Sequence, residues 1–84
     1  MTDPKFLVYL GNRIKVLRLE RNISQASLAI ECEFDKASMS RIESGKSNIT
    51  ILNLRKICRA LNVELADFFN ASESTANTAA SSKN

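Results

Sequence analysis

The segment DKASMSRIESGK, residues 35–46, combines cationic and hydroxyl side chains with only two large apolar residues, Met39 and Ile42. Three positions apart on a helix, these two share one narrow face and leave the other sides polar. Residues 36–59 hold six cations against one acid, Glu43, a net charge of +5. A basic helical face of this kind is typical of a site for a polyanion, although a solvated surface gives the same pattern.

Other chemistries have little support in the sequence. There is no histidine, and Cys32 and Cys58 are the only cysteines, without the paired spacing of a zinc site. Each cysteine falls on the apolar face of a predicted helix, so we expect buried, reduced thiols. No glycine-rich phosphate loop is present, and we therefore expect no metal, no cofactor and no enzymatic activity.

The helical period dominates the rest of the chain. Ser24, Asp35 and Thr50 are predicted N-caps, and Gly45 and Asn62 are predicted left-handed helix ends. The first helix carries an apolar stripe that begins at Phe6. The predicted helices cover residues 5–20, 25–32, 36–44, 51–61 and 64–69.

Length and composition indicate one small domain, residues 1–70, followed by a tail, residues 71–84, that lacks large apolar side chains. We expect this tail to be disordered. No apolar run is long enough to cross a membrane, and residues 1–6 lack a signal-peptide layout. The expected location is the cytoplasm.

The second and third predicted helices are separated by about three residues, which matches a helix-turn-helix. The sequence resembles the phage repressor and Cro (Xre-like) family over residues 6–69. The residues that carry the resemblance are Gln25, Leu28-Ala29, Ser40-Arg41-Ile42-Glu43-Ser44-Gly45-Lys46 and Ala60-Leu61-Asn62-Val63.

This resemblance implies a compact all-α bundle of five helices, of the lambda-repressor-like type. It also implies a sequence-specific regulator of transcription, a homodimeric repressor or autoregulator that reads a palindromic operator through its third helix. A small autoregulating controller, such as those of restriction–modification systems, or a phage or plasmid repressor would suit a chain of this size. An antitoxin-like module that binds a partner protein as well as DNA remains the alternative.

The resemblance also assigns roles to residues. Lys36, Ala37 and Arg41 would read bases, because arginine or lysine can bond guanine and an alanine methyl can contact thymine. Alternatively, Lys36 and Arg41 only solubilise the surface. The hydroxyls of Ser38 and Ser40 could either contact phosphate or bond only within their own helix. The residues that would contact the DNA backbone are Gln25, Ser38, Ser40, Lys46, Ser47 and Asn48.

Arg18 and Glu43 occupy the positions of a structural ion pair in the family. Two residues depart from the family pattern. Glu33 stands where a glycine is usual, so that either the turn has another shape or strain is accepted. Ile49 stands where proline is common, which leaves the loop before the fourth helix less fixed.

The C-terminal end of the domain is unusually apolar. Two adjacent aromatic residues on a helix cannot both point inward, so we expect a twofold dimer interface here, with a monomer as the alternative. Glu31 and Glu33 could contact RNA polymerase, although their position favours the simpler explanation of solvated acids. The predicted interface residues are Ile51, Arg55, Leu65, Phe68 and Phe69.

Overall fold

Five helices build the protein in a computed structural model that describes residues 3–70. They are α1 (Pro4–Glu20), α2 (Gln25–Cys32), α3 (Lys36–Glu43), α4 (Ile51–Leu61) and α5 (Leu65–Asn70). The expected all-helical fold is confirmed, with no strand within residues 3–70. The tail that we predicted to be disordered lies outside the described residues.

The helix ends follow from local chemistry. Side chains of Ser24, Asp35 and Thr50 each accept a backbone N–H in the first turn of the following helix, as predicted. Asp3 caps α1 in the same way, with Pro4 in the first turn, so α1 begins one residue earlier than predicted. The third helix ends at Glu43 rather than at residue 44, because Ser44 leaves the helical conformation as its C-cap.

Backbone in the left-handed region links the helices. Gly45 and Asn62 adopt it at φ 77° and 61°, as predicted. Glu33 adopts it as well, at φ 63° and ψ 35°, so the turn between α2 and α3 keeps a shape that suits glycine and accepts the strain.

Every helix contributes to one core, and α1 and α4 supply most of it. The inward apolar stripe of α1 starts at Leu10. Phe6, in the first turn, is 47% exposed and its ring stacks on that of Tyr9, with 6.0 Å between the ring centroids. Phe6 was therefore placed wrongly, because it lies beyond the part of α1 that the other helices cover. The buried apolar residues are Leu10, Ile14, Leu17, Leu28, Ala29, Cys32, Met39, Ile42, Leu54, Ile57, Cys58, Leu61 and Phe68.

Arg13 of α1 and Arg21, the C-cap residue of that helix, hold the C-terminal ends of later helices. Arg13 Nε donates to the carbonyl oxygen of Phe68 at 2.8 Å, and Arg21 Nε donates to that of Leu61 at 2.8 Å. Each guanidinium thus meets the negative end of a helix dipole, and α4 and α5 are fixed against α1.

Candidate nucleic-acid interface

The short helix α3 divides into an inner and an outer side. Met39, Ile42 and Glu43 are buried on the inner side. The outer side presents only polar or small side chains, all exposed: Lys36, Ala37, Ser40 and Arg41, followed by Ser44 just beyond the helix. The structure therefore brings together the three predicted base-reading residues, with Ser40, on one accessible face.

Hydrogen bonds organise both ends of α3. Asp35 Oδ1 accepts the backbone N–H of Ser38 at 2.6 Å, and hydrogen bonds from Ser38 hold the pKa of the Asp35 carboxyl below its usual value. The nearby charge of Arg41 lowers this pKa further. At the other end, the Ser44 hydroxyl donates to the carbonyl oxygens of Ser40 and Arg41, at 3.0 and 3.2 Å.

The predicted ion pair forms between α1 and α3. Arg18 Nε donates to Glu43 Oε2 at 2.7 Å and Arg18 Nη2 to Glu43 Oε1 at 3.1 Å, a two-point contact between side chains that are both buried. Arg18 Nη1 also donates to the carbonyl oxygen of Ile23 at 2.8 Å. One guanidinium therefore fixes α3 and the end of the α1–α2 turn together.

Gln25 joins this network, which the sequence did not indicate. Its Nε2 donates to Glu43 Oε1 at 3.1 Å, so the amide nitrogen is bound inside the protein. The N-terminal end of α2 can still meet phosphate through its backbone, since Ser24 caps only the N–H of Ser27.

The loop after α3 carries the other predicted backbone contacts. Lys46 and Asn48 are exposed and Ser47 is half-buried, with its hydroxyl donating to the Asn48 carbonyl at 3.2 Å. Gly45 begins this loop at φ 77°, and a Cβ there would lie 2.7 Å from the Cα of Val8. The loop is thus pressed against α1, which limits where Lys46 can reach.

Gly11 marks a second place where two backbones come close together, and it was not predicted from the sequence. A Cβ at Gly11 would lie 2.4 Å from the carbonyl oxygens of Ile42 and Glu43, so only glycine lets α1 pass the end of α3 this closely. An isolated glycine inside a helical pattern was the available signal.

The predicted dimer residues separate into two groups. Phe68 is fully buried in the core of the single chain, so its assignment to an interface between chains was wrong. The reason is that α5 turns this ring inward, where Phe69 packs edge-to-face against it at a centroid distance of 5.2 Å. Ile51 and Arg55 are exposed, and Leu65 and Phe69 are half-buried.

The thiols and acids offer little further chemistry. Burial raises the pKa of Cys32 above its ordinary value of 9.0 and raises that of Cys58 to about 11, so both remain neutral thiols.

Within residues 3–70, no group of three histidine, cysteine or acidic side chains is placed to hold a metal ion. No helix in that part of the chain is long and apolar enough to cross a bilayer.

An exposed basic helix, held by a capped partner helix across a tight turn, defines a helix-turn-helix protein. The chain belongs to the family of the Cro/C1-type HTH DNA-binding domain, whose model matches residues 13–74. The predicted resemblance and the predicted DNA-binding function are thereby confirmed.

Two of the similar proteins are control proteins. The control protein C.MunI of Mycoplasma sp is 39% identical over 70 residues, covering 82% of this chain and 92% of its own. The control protein C.BamHI of Bacillus amyloliquefaciens is 37% identical over 68 residues, covering 80% and 83%.

Two solved structures of restriction-modification controllers are also similar to this chain. The restriction-modification controller C.AhdI of Aeromonas hydrophila superposes with a TM-score of 0.72 at 32% identity, over 75% of this chain and 91% of its own. C.Esp1396I, a controller solved as a tetramer in complex with its natural 35 base-pair operator, gives a TM-score of 0.72 at 34% identity, over 77% and 86%.

Proposed function

We propose that the protein is a sequence-specific regulator of transcription that binds a palindromic operator as a homodimer, with α3 in the major groove. The observation that carries this proposal is the outer face of α3, which is exposed and basic on a helix that the buried Arg18–Glu43 pair orients. Lys36, Ala37 and Arg41 read bases in this proposal.

Contacts to the DNA backbone fix the register of α3. They come from the N-terminal end of α2 at Gln25, from Ser38 and Ser40, and from the loop residues Lys46, Ser47 and Asn48. Because Gln25 Nε2 is held by Glu43, we assign the phosphate contact at this end to the backbone N–H groups of α2.

The outer side of α4 supports the proposed dimer. Ile51 and Leu52 are 60% and 68% exposed, with Arg55 beside them, and Leu65 and Phe69 add half-buried apolar surface on α5. A groove of about 860 Å³ is lined by the cations Arg55 and Arg59 and by the acids Glu64 and Asp67. Charges of both signs on one surface suit a twofold contact, in which each patch meets its own copy.

Two recognition helices related in this way would enter major grooves one helical turn apart, roughly 34 Å. The similarity to the restriction-modification controllers C.AhdI and C.Esp1396I supports a controller of a restriction–modification system. We expect such a controller to be cytoplasmic and to act at its own promoter. Exposed Glu31 and Glu33 are the proposed contact to RNA polymerase if the bound protein activates. No enzymatic activity is assigned, since both thiols are buried and neutral.

A footprint of the full-length protein on the DNA upstream of its own coding sequence tests the proposal. We expect protection of two related half-sites, and the failure to protect any site better than unrelated duplex DNA would refute it. Lys46→Ala should weaken binding to specific and unrelated DNA alike and reduce the slope of log K against log salt by about 0.9. Arg41→Ala should weaken specific binding far more than non-specific binding.

A further inference from the structure

The two long cations of α3 lie on either side of a line of small side chains. At 3.6 residues per turn, Ala37, Ser40 and Ser44 fall within an arc of about 60° at the centre of the exposed face. Lys36 and Arg41 lie at the two edges of this face, about 140° apart. The small central side chains let the helix backbone approach the floor of the groove closely, while the cations extend to opposite sides.

The two cations also keep a definite separation along α3. Five residues at 1.5 Å each place them about 7.5 Å apart, close to two base-pair steps of 3.4 Å. The side chain of Arg41 leans toward the N-terminal end of the helix, as long helical side chains do. Because Lys36 leans the same way, the separation between the two charges is preserved.

In the major groove, the O6 and N7 atoms of a guanine lie toward the strand that carries that guanine. Side chains that diverge to opposite sides of the groove therefore meet guanines on opposite strands. We infer that each operator half-site is read at two guanines on opposite strands, about two base-pair steps apart, one bound by Arg41 and the other by Lys36. This inference rests on the proposed function and adds to it the pattern of bases that α3 recognises.

The base pairs between these guanines face Ala37 and Ser40, so in this geometry the Ser40 hydroxyl meets a base edge rather than the phosphate assigned to it above. A methyl group and a short hydroxyl offer at most a thymine contact or a single hydrogen bond. The half-site should therefore be strict at two positions and tolerant between them. The alternative geometry sends one cation past the base edges to a phosphate, which would leave only one strict guanine.

Selection by the full-length protein from duplexes with a 30 base-pair random core tests this pattern. The expected half-site has guanine on one strand and, about two steps away, guanine on the other. Arg41→Ala should relax one of these positions and Lys36→Ala the other, each with a loss of roughly 5- to 150-fold against the wild-type site. Lys46→Ala is the matched control, because it removes an exposed cation next to the face and should relax neither position.

Replacement of each selected guanine by 7-deazaguanine removes its N7 acceptor and identifies its partner. We expect either replacement to weaken binding by the wild-type protein roughly fivefold, the effect of one hydrogen bond. The Arg41→Ala variant should show no loss when the guanine assigned to Arg41 is replaced, and the Lys36→Ala variant no loss when the guanine assigned to Lys36 is replaced. Two strict guanines on one strand, or a Lys36→Ala variant that weakens all sequences equally, would overturn the inference and remove Lys36 from the base-reading set, but would leave sequence-specific operator binding through α3 standing. If the wild-type protein enriches no sequence at all, the proposed function fails as well.

Discussion

Replacement of Arg18 by methionine would remove the guanidinium that joins α1 to α3 and keep most of the side-chain volume. Glu43, which is 9% exposed, would lose both contacts from Arg18 and keep only the hydrogen bond from Gln25. The Ile23 carbonyl would lose its bond from Arg18 as well. We expect the free energy of unfolding to fall by roughly 3–5 kcal/mol, because one partner of a buried ion pair is left uncompensated.

This loss is large for a domain of this size. A chain of 84 residues has a free energy of unfolding of about 4–13 kcal/mol, and each kcal/mol corresponds to about 4–8 °C in Tm. Arg18→Met should therefore lower Tm by at least about 12 °C. Urea unfolding at 25 °C, followed by circular dichroism at 222 nm, measures the difference directly.

Two controls distinguish the buried pair from charge in general. Glu20 and Arg21 form an exposed pair at the C-terminal end of α1, with a nitrogen–oxygen distance of 3.7 Å, and Glu20→Ala should cost less than about 1 kcal/mol. The double variant Arg18→Met/Glu43→Leu should recover most of the lost stability, since apolar side chains can replace a buried pair. If Arg18→Met lowers the free energy of unfolding by no more than Glu20→Ala does, the reasoning is refuted.

Four further predictions concern other features of the fold and the proposed dimer. Gly11→Ala should lower the free energy of unfolding by about 1–3 kcal/mol, because the new methyl group meets two carbonyl oxygens of α3. Glu33→Gly should raise it by up to about 1 kcal/mol, because glycine adopts the left-handed backbone without strain. Burial raises the pKa of Cys58 to about 11, so as pH rises the thiol ionises in the unfolded chain before it ionises in the folded one. The free energy of unfolding should therefore fall as pH rises from about 9 to 11. Leu52→Ser should weaken dimerisation in sedimentation experiments, whereas Ile30→Ser, at a similarly exposed position on α2, should not.

Each of these predictions has its own contradicting result. A Gly11→Ala variant of unchanged stability would show that α1 can shift away from α3. A less stable Glu33→Gly variant would mean that the Glu33 side chain contributes more than its backbone conformation costs. Cys58→Ala should lose less stability than the wild-type protein between pH 9 and 11, and equal losses would exclude the thiol as the cause. Equal effects of Leu52→Ser and Ile30→Ser would remove α4 from the interface.

Much of the fold could be predicted from the sequence because its signals are local. The caps at Ser24, Asp35 and Thr50 act within three residues, and they fixed the starts of α2, α3 and α4 correctly. The contacts that escaped prediction join distant parts of the chain. Arg13 reaches a carbonyl 55 positions away and Arg21 one 40 positions away, and no short pattern encodes such pairs.

The choice between adjacent aromatic residues shows the same limit. Spacing indicated that Phe68 and Phe69 cannot both point inward, but it did not indicate which of them does. Only the angle at which α5 meets the bundle decides this, and that angle depends on Arg13 and on the packing of α4. The predicted interface therefore included a residue that belongs to the core.

The outer face of α3 is free to vary because other parts of the chain supply the stability of the helix. Its eight residues bury only three side chains, while Arg18 and Gly11 hold its C-terminal end against α1. Exposed residues away from such contacts usually change stability by less than about 0.5 kcal/mol when substituted. In the proposed function, substitutions at Lys36, Ala37, Ser40 and Arg41 would therefore change which bases are read while the position of the helix is preserved. Specificity and orientation would then rest on different residues, and a change of operator would require no compensating change in the core.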